Sequence, residues 1–427
     1  MIDRRRLLAA ALALPGLAPG RAWPAPPGVD SAPALQRAID AAQRGGGVLA
    51  LPAGVRGVSR LRISGDLRLV GAGGANRLVA LGPGPLLEIA GADRVTIENV
   101  AFDGASRDAG EAGLVEARDI AELGFVDCTL ARAGQGLRLE RCGGRIERSA
   151  FRALARSALL SLDATGLSIL DNRVEDCGAN GLQVWRSAQG PDGTILRGNR
   201  IARIRADPGG DGPYGNAISV FRAGGVACSG NVVRDAAFSA IRFDASPDAL
   251  ILGNTCAEIG ETALYVEFGF QGAVVASNLV DGASTGVSVT NFDRGGRLAA
   301  VTGNVLRNCA RPPPQGGALY GIGVHVEADT AVTGNVVDAA AFAGLSLGYG
   351  VGLRDVIAAE NILTDCGYGV AVSVAPGAGG ATIRDNRIAR ARHGAMVGMA
   401  WEAVASADLA RDAAAYPQLT VAGNEVR

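Results

Sequence analysis

Four short segments in the second half of the chain repeat one pattern: ILGNTC (251–256), VASNLV (275–280), VTGNVL (301–306) and VTGNVV (332–337). Each segment places an asparagine between alternating apolar positions. The positions that align in the weaker and stronger copies are Asn99, Cys128, Ser149, Asn172, Asn199, Asn231, Asn254, Asn278, Asn304, Asn335, Asn361, Asn386 and Asn424. Successive copies are 21 to 38 residues apart. The chain is therefore an array of short repeated units.

A second pattern lies between the asparagines: a small residue followed by alternating apolar positions, as in GLQVW (181–185), AIRFD (240–244) and ALYVE (263–267). Alternation with a period of two predicts strands rather than helices. Each unit is then expected to hold three short strands, with a one-residue asparagine turn between two of them. Asparagine suits this turn because it tolerates the left-handed conformation and can bond to the next asparagine in a stack.

A unit of this size cannot bury its apolar side alone, but stacked units form a continuous core. A β-propeller is excluded, because each blade needs four strands and roughly 40–45 residues. The stack resembles the right-handed parallel β-helix of pectate-lyase-like proteins. The resemblance implies an all-β fold over residues 30–427, a single-stranded right-handed parallel β-helix of about a dozen coils.

Solenoids need caps at their ends, and two segments are candidates. Residues 30–44, DSAPALQRAIDAAQR, are expected to form an amphipathic N-terminal capping helix. Residues 400–418 are expected to be a C-terminal insertion, with a second amphipathic helix at 402–414.

The family resemblance rests on particular segments. Residues 30–55 closely match the opening of pectate-lyase-superfamily β-helix proteins, although Arg56 stands where those proteins usually have a tyrosine. The whole chain resembles twin-arginine-translocated repeat proteins, a family without an established activity. The shared features include GYGVGLRDVIAAEN (348–361) and the C-terminal part that begins with GAMVGMAW (394–401). The resemblance implies the fold and leaves the activity open.

Residues 1–25 are expected to be a twin-arginine signal peptide. Three arginines at 4–6 precede an apolar run at 7–17, which is too short to span a bilayer of ~30 Å. The alternative is a chance arginine cluster before an ordinary secretion signal or an anchor. We expect the twin-arginine translocase as a partner during export, a periplasmic or secreted protein, and no membrane association once the signal is removed.

The composition excludes several kinds of chemistry. The 427 residues include 41 basic and 42 acidic side chains, and every basic one is arginine. The net charge of −1 argues against a nucleic-acid partner, which needs a basic surface. Without lysine, Schiff-base, lysine-nucleophile and Walker-type chemistry are excluded. The seven cysteines show no CxxC spacing, so we expect buried free thiols and no metal site.

The resemblance implies that a polysaccharide lies across the solvent face of the strand that follows the variable loop. We identify this strand with the second pattern and take its apolar positions as inward, so that alternate residues point outward. The first outward positions are Arg138, Ser161, Gln183, Ser219, Arg242, Tyr265, Ser288 and Gly323. The second outward positions are Glu140, Asp163, Trp185, Phe221, Asp244, Glu267, Thr290 and His325.

Asp244 and Glu267 are the catalytic candidates. Neighbouring coils are ~4.8 Å apart, so the two carboxyl groups should lie side by side. Such a pair does not easily hold two charges, and one carboxyl should have a raised pKa. This suits acid/base cleavage of a glycosidic bond. Arg242 and Tyr265 adjoin the pair as candidates for anion binding and proton transfer. The alternative is that these charged side chains only pair with each other.

Three residues are candidates for substrate binding. Trp185 and Phe221 would offer an apolar platform for a sugar ring, and His325 lies further along the same face. The loops 204–215 and 309–321 precede this strand in two coils and could wall a cleft. No cofactor is expected; a calcium site of stacked carboxylates is possible, but no motif supports it.

The sequence thus predicts an exported, carbohydrate-active β-helix protein that binds a polysaccharide. It could cleave the polysaccharide as a hydrolase or lyase. The alternative is a non-catalytic β-helix scaffold or adhesin of the cell envelope.

Overall fold

The structure, a computed structural model, describes residues 28–107, 110–210, 212–316 and 320–427. Over these ranges the strands of successive coils stack into three long sheets of fifteen strands each. The helix Ala32–Arg44 covers the first coil and buries Leu35 and Ile39. The all-β parallel helix with an N-terminal helix is confirmed, and it is longer than the dozen or so coils expected. The segment 1–25, predicted to be a signal peptide, lies outside the described residues.

Sheet 1 opens each coil. Its strands are Val48–Ala50, Leu67–Val70, Arg94–Glu98, Glu122–Val126, Gly144–Glu147, Leu167–Leu170, Ile195–Arg197, Ala227–Ser229, Ala249–Leu252, Gln271–Ala276, Arg297–Thr302, Thr330–Thr333, Val356–Ala359, Ala381–Arg384 and Leu419–Ala422.

Sheet 2 follows sheet 1 after the asparagine turn. Its strands are Gly54–Val58, Asn76–Ala80, Ala101–Arg107, Thr129–Ala133, Ala150–Leu154, Arg173–Cys177, Arg200–Ile204, Val232–Ala236, Thr255–Ile259, Leu279–Ala283, Val305–Cys309, Val336–Asp338, Ile362–Thr364, Arg387–Ala389 and Glu425–Val426.

Sheet 3 follows the longest loops and carries the candidate site. Its strands are Leu61–Ile63, Leu87–Ala90, Gly113–Arg118, Gln135–Glu140, Leu159–Leu162, Leu182–Pro191, Ile218–Gly224, Ile241–Asp244, Thr262–Glu267, Thr285–Val289, Ile322–Val326, Ala343–Leu347, Tyr368–Ser373, Gly394–Ala400 and Ala403–Ser406. Inward side chains of all three sheets fill one core with apolar residues. All seven cysteines are buried and free.

The C-terminal segment differs from the expectation. Ala403–Ser406 is a strand that turns back and pairs antiparallel with Gly394–Ala400. The helix is limited to Leu409–Asp412, and Asp408 fixes its beginning by accepting a hydrogen bond from the Ala410 amide at 3.1 Å. A 3-10 turn, Ala413–Ala415, follows. The predicted helix over 402–414 is therefore wrong in extent.

A ladder of asparagine side chains runs inside the corner between sheets 1 and 2. Asn254 Nδ2 donates to Asn278 Oδ1 at 3.0 Å and to the Cys228 carbonyl oxygen at 3.0 Å. The same Asn278 Oδ1 accepts from the Asn254 backbone amide at 2.8 Å. The unbroken ladder comprises Asn172, Asn199, Asn231, Asn254, Asn278, Asn304, Asn335, Asn361, Asn386 and Asn424. Each rung satisfies buried backbone groups that would otherwise lack partners.

The turn itself has two residues rather than one. The left-handed residue is the one before the ladder asparagine, such as Ser277 with φ 58°. Asn99 takes that first position, with φ 56°, and Val100 occupies the ladder position instead. The ladder residue must point inward to bond the next coil, so the left-handed conformation falls on its exposed neighbour. Asn99 is therefore not a ladder residue, contrary to the sequence alignment.

Replacing one ladder residue should weaken the whole solenoid. In Asn278→Ala the Asn254 backbone amide loses its acceptor while it remains buried. The free energy of unfolding should fall by about 2 kcal/mol, the usual cost of a buried unpaired polar group. Urea unfolding measures this loss, and Thr255→Ala, an exposed residue at the same corner, is the matched control. Equal stability of the two variants would contradict a stabilising role for the ladder.

Candidate functional site

The catalytic candidates lie on two adjacent strands of sheet 3, Ile241–Asp244 and Thr262–Glu267. The strand register pairs Asp244 with Glu267 and Arg242 with Tyr265. All four side chains lie on the outer face, because the intervening Phe243 belongs to the core. The parallel stack thus brings together residues more than twenty positions apart in the chain.

His325 lies in a different row from the one expected. It pairs with Ser288, which in turn pairs with Tyr265, so His325 belongs to the first outward row. Glu327 directly follows the strand and continues the second row instead. The stacked inward valines, Val287 on Val324, set this register. Shifting a strand by one residue exchanges its two faces, which is why the sequence alignment misplaced His325.

A second register error concerns the coil of Leu159–Leu162. Leu160 pairs with Arg138 and with Gln183, so Leu160 and Leu162 face outward where Ser161 and Asp163 were expected. Ser161 lies inside the helix and is 1% exposed. The strand keeps this register because its backbone hydrogen bonds to both neighbouring strands depend on it. Losing those bonds would cost more than burying the polar side chain of Ser161.

Glu267 is the most enclosed titratable group of this face. It is 3% exposed, and Arg242 Nε donates to its Oε1 at 2.5 Å. Arg242 also donates to the carbonyl oxygen of Gly212 in the preceding loop. Burial raises the pKa of Glu267 to about 7, although Arg242 and a hydrogen bond with Tyr265 oppose the rise. We call Arg242, Tyr265 and Glu267 the Glu267 cluster.

The two neighbours of Glu267 respond to the same environment. Burial raises the pKa of the half-buried Asp244, and the positive charges of Arg242 and Arg222 only partly offset this. Burial together with the negative charge of Glu267 raises the pKa of the Tyr265 hydroxyl. Tyr265 is therefore held as a neutral hydroxyl that can donate a hydrogen bond.

Glu327 behaves in the opposite way. Its burial favours the neutral form, but the neighbouring His325 and a hydrogen bond from the backbone amide of Phe292, at 2.7 Å, outweigh burial and lower its pKa. His325 Nε2 lies 3.9 Å from Glu327 Oε1, and its Nδ1 lies 3.0 Å from Ser346 Oγ. The contact with Ser346 orients the imidazole, and Glu327 favours its ionised form.

Tyr265, His325 and Glu327 line one open cleft, which we call the sheet 3 groove. It has a volume of about 480 Å³, and its lining includes Tyr265, His325, Glu327, Tyr349 and Glu402. The groove brings together Tyr265 of the Glu267 cluster and the His325–Glu327 pair. It does not reach Trp185 or Phe221, which lie further towards the N-terminus.

An aromatic pocket of about 130 Å³ adjoins the groove and shares Tyr349 and Glu402 with it. Phe342, Met399 and Trp401 complete its apolar lining. The Trp401 ring packs edge-on against Tyr349 with centroids 5.4 Å apart. This arrangement offers flat apolar surface beside polar groups, as sugar rings require.

Trp185 and Phe221 form a second aromatic pair on the same face. Their ring centroids are 6.0 Å apart, and both side chains are half-buried. Trp185 Nε1 donates to Ser219 Oγ at 3.1 Å, and the Arg222 guanidinium lies 4.6 Å from the Phe221 ring centroid. The pair remains partly accessible rather than covered by the loops.

The two long loops contact sheet 3 along the edge where its strands begin. Asn180 Nδ2 donates to the Pro213 carbonyl oxygen at 3.0 Å, which fixes the loop that also bonds Arg242. Gln315 Nε2 donates to Glu261 Oε1 at 2.8 Å and fixes the other loop. Residues 211 and 317–319 of these loops lie outside the described ranges.

Several lining residues were missed at the sequence level. Tyr349, Trp401 and Glu402 come from turns and from the C-terminal hairpin, not from the repeated strands. A signal was present, since Tyr349 and Trp401 are bulky residues inside glycine-rich segments. Only the coil stack, however, shows that they flank the row of His325.

Neither a membrane-spanning helix nor a metal cluster occurs in the described part of the chain. None of its helices has the length and apolar character needed to cross a bilayer. The described residues also contain no group of three or more metal-ligating side chains.

A family model described as a right handed beta helix region matches residues 135–296. A GH87 α-1,3-glucanase from Streptomyces thermodiastaticus is similar, with 15% identity over 93% of this chain and 66% of its own, at a TM-score of 0.49. A PL6 alginate lyase in complex with a trisaccharide shows 12% identity, 92% and 93% coverage, and a TM-score of 0.49. PfbA, a surface adhesin of Streptococcus pneumoniae, shows 12% identity, 87% and 88% coverage, and a TM-score of 0.42. Among curated proteins, no sequence matches this chain.

The raised pKa of Glu267 makes stability depend on pH. Its usual pKa is 4.5 and its folded value is about 7. The stabilisation from its neutral form is complete below the unfolded pKa and is lost as the pH rises through the folded pKa. Relative to Glu267→Gln, the wild type should therefore lose about 3 kcal/mol of unfolding free energy between about pH 4.5 and 8.

Chemical denaturation at several pH values measures this difference. Glu122→Gln is the control, because Arg94 lowers the pKa of that exposed carboxyl and so shifts its titration away from this window. Parallel stability curves for the wild type and Glu267→Gln would contradict the assignment.

Proposed function

We propose that this protein binds an extended neutral polysaccharide along sheet 3 and hydrolyses one of its glycosidic bonds in the groove. The observation that carries the proposal is a pair of carboxyl groups with opposite pKa shifts, Glu267 raised and Glu327 lowered; Glu327 lines the groove, and Glu267 is connected to it through Tyr265. Titratable groups whose environments separate their pKa values are the usual sign of an acid and a base.

The aromatic side chains support binding of an extended chain. The row from Phe221 to Gly348, the neighbour of Tyr349, spans five strand spacings, or about 24 Å. Several sugar rings fit between the Trp185–Phe221 pair and the Tyr349–Trp401 pair. The surface between the pairs is polar, which suits the hydroxyl groups of a glycan.

The register of the strands is compatible with an inverting hydrolysis. Glu267 and Glu327 are two strands apart, so their backbones are roughly 9–10 Å apart. Inverting enzymes leave room for a water molecule between their two carboxyl groups. In this scheme Glu327 takes a proton from the water, whose oxygen bonds to the anomeric carbon. The glycosidic bond breaks, and the leaving oxygen takes a proton from the Tyr265 hydroxyl, which is replenished from Glu267.

Charge favours a neutral substrate over a polyuronate. Glu327 and Glu402 line the groove, whereas the guanidinium of Arg242 is engaged by Glu267. A chain of uronic acids would be repelled by these carboxylates. Elimination by a lyase requires such a uronate, so hydrolysis is the better match.

A binding-only role is the second candidate, and the burial of Glu267 favours it. With 3% of its surface exposed, Glu267 does not itself present an oxygen to the groove. Its proton would reach the substrate only through Tyr265. If Tyr265 does not pass a proton from Glu267 to the substrate, the protein is a scaffold or adhesin that binds a glycan through the same aromatic pairs.

We also propose that the protein works outside the cytoplasm after twin-arginine export. The arginines at 4–6 and the apolar run at 7–17 support this route. The fold also supports it, because all seven cysteines are buried and free, and a domain without disulfides can fold before export.

Incubation with a panel of neutral and uronic polysaccharides, with detection of new reducing ends, tests the function. We expect product from a neutral polymer only, and a loss of about 100-fold or more in kcat for Glu327→Gln and for Tyr265→Phe. Trp401→Ala should weaken binding with a smaller effect on kcat. Glu122→Gln, an exposed carboxylate on sheet 1, should leave both unchanged.

The outcomes separate the candidates. Binding without product in the wild type would establish the scaffold role and remove the hydrolase. Product that persists in Glu327→Gln and Tyr265→Phe would remove these residues from the mechanism.

A further inference from the structure

One corner of the solenoid, far from the sheet 3 groove, carries no charge over five consecutive coils. Residues 227–232, 250–255, 274–279, 300–305 and 331–336 contain no aspartate, glutamate or arginine. Each range runs from the last part of a sheet 1 strand, through the asparagine turn, to the first residue of a sheet 2 strand. We call the outward side of these ranges the uncharged face.

Large apolar side chains on this face are exposed. Val232 is 38% exposed, Leu250 is 38%, Leu279 is 36% and Val305 is 42%. The register aligns Val232, Leu279 and Val305 in one row along the start of sheet 2. The other outward side chains are Leu252, Val274 and Val336 together with alanine, serine, threonine and glycine, so the face has neither charged nor aromatic side chains.

The fold does not require this lack of charge. In the N-terminal half of the same sheet, outward positions carry ion pairs. Arg68 Nη2 lies 2.9 Å from Glu98 Oε2, and Arg94 Nε lies 2.6 Å from Glu122 Oε2. The uncharged face is therefore a regional property of the five central coils, and it is bounded by charged coils at both ends.

The size of the face fits a protein contact. Five coils at ~4.8 Å span about 24 Å, and six residues at ~3.3 Å span about 20 Å, which gives roughly 500 Å². Apolar patches of this size are often functional, and a standard interface buries about 800 Å² on each partner. The face alone is smaller than this, so the contact has to include its charged borders.

We propose that the uncharged face is a dimer interface with a second copy of this chain, related by a two-fold axis and with the two solenoids antiparallel. A two-fold contact needs a self-complementary surface, and an uncharged corner that repeats over five coils can pack against the same corner of a second copy. An antiparallel arrangement also matches the charges at the borders. It brings Arg197 and Arg200 of one copy near Glu360 of the other, and all three are exposed.

The chemistry of the face favours a second copy over other partners. The five ranges contain no aromatic residue to stack on a sugar and no basic residue to meet a lipid headgroup. The groove lies on sheet 3, so both copies keep it open. The dimer is independent of the proposed hydrolysis.

Sedimentation velocity of the purified protein over a range of concentrations tests the interface. We expect a dimer whose dissociation constant rises about 100-fold or more in Leu250→Glu, because a carboxylate would lie unpaired in an apolar contact. Ser168→Glu, on the same sheet outside the face, should leave the dissociation constant unchanged. Arg200→Glu should weaken the dimer, and adding Glu360→Arg should restore it.

A cross-linking measurement keeps the test valid if Leu250→Glu fails to fold. Ala276→Cys, near the middle of the face, should form a covalent dimer with a bifunctional maleimide cross-linker, which bridges thiols too far apart for a disulfide, whereas Ser168→Cys should not. A protein that is monomeric at all concentrations, or equal cross-linking of the two variants, would overturn the proposal. So would a dimer that Leu250→Glu, shown to be folded by circular dichroism, leaves intact.

Discussion

The stacking register between coils is the constraint on which the rest of this structure depends. Each strand bonds to its equivalent one coil away, and the asparagine ladder locks that alignment at the corner of sheets 1 and 2. Asn254 and Asn278 illustrate the point, because one side-chain oxygen accepts from both the backbone and the side chain of the coil before it. A slip of one residue would break the ladder and turn the core outward.

The same register builds the candidate site. It aligns Tyr265, Ser288 and His325 in one row and places Glu327 two coils beyond Glu267 in the other. The residues are far apart in the chain, yet the backbone spacing sets their separation. Their surroundings then separate their pKa values. Burial raises the pKa of Glu267, whereas the groups around Glu327 lower its pKa. The aromatic residues of the turns flank this row.

The repeat was sufficient to predict the fold, because the asparagine spacing and the alternating strands reflect local constraints. Rows on the outer face were harder to predict. His325 was placed one position wrong, since GIGVHVE allows two alignments and only the stacked Val287 and Val324 decide between them. Tyr349 and Trp401 were missed because their place depends on how non-repeated turns fold back. Asn99 was misassigned because the turn has two residues, a detail that composition does not reveal.

A crystal structure with a neutral oligosaccharide bound to the Glu327→Gln variant would show directly whether sheet 3 is the binding and reaction face. Sugar rings should lie along sheet 3, from Tyr265 to the Tyr349–Trp401 pair. One glycosidic oxygen should lie within hydrogen-bond distance of the Tyr265 hydroxyl, with position 327 on the opposite side of the chain. Sugar bound elsewhere on the solenoid, or lying in the groove with Tyr265 out of reach of every glycosidic oxygen, would contradict this role of sheet 3.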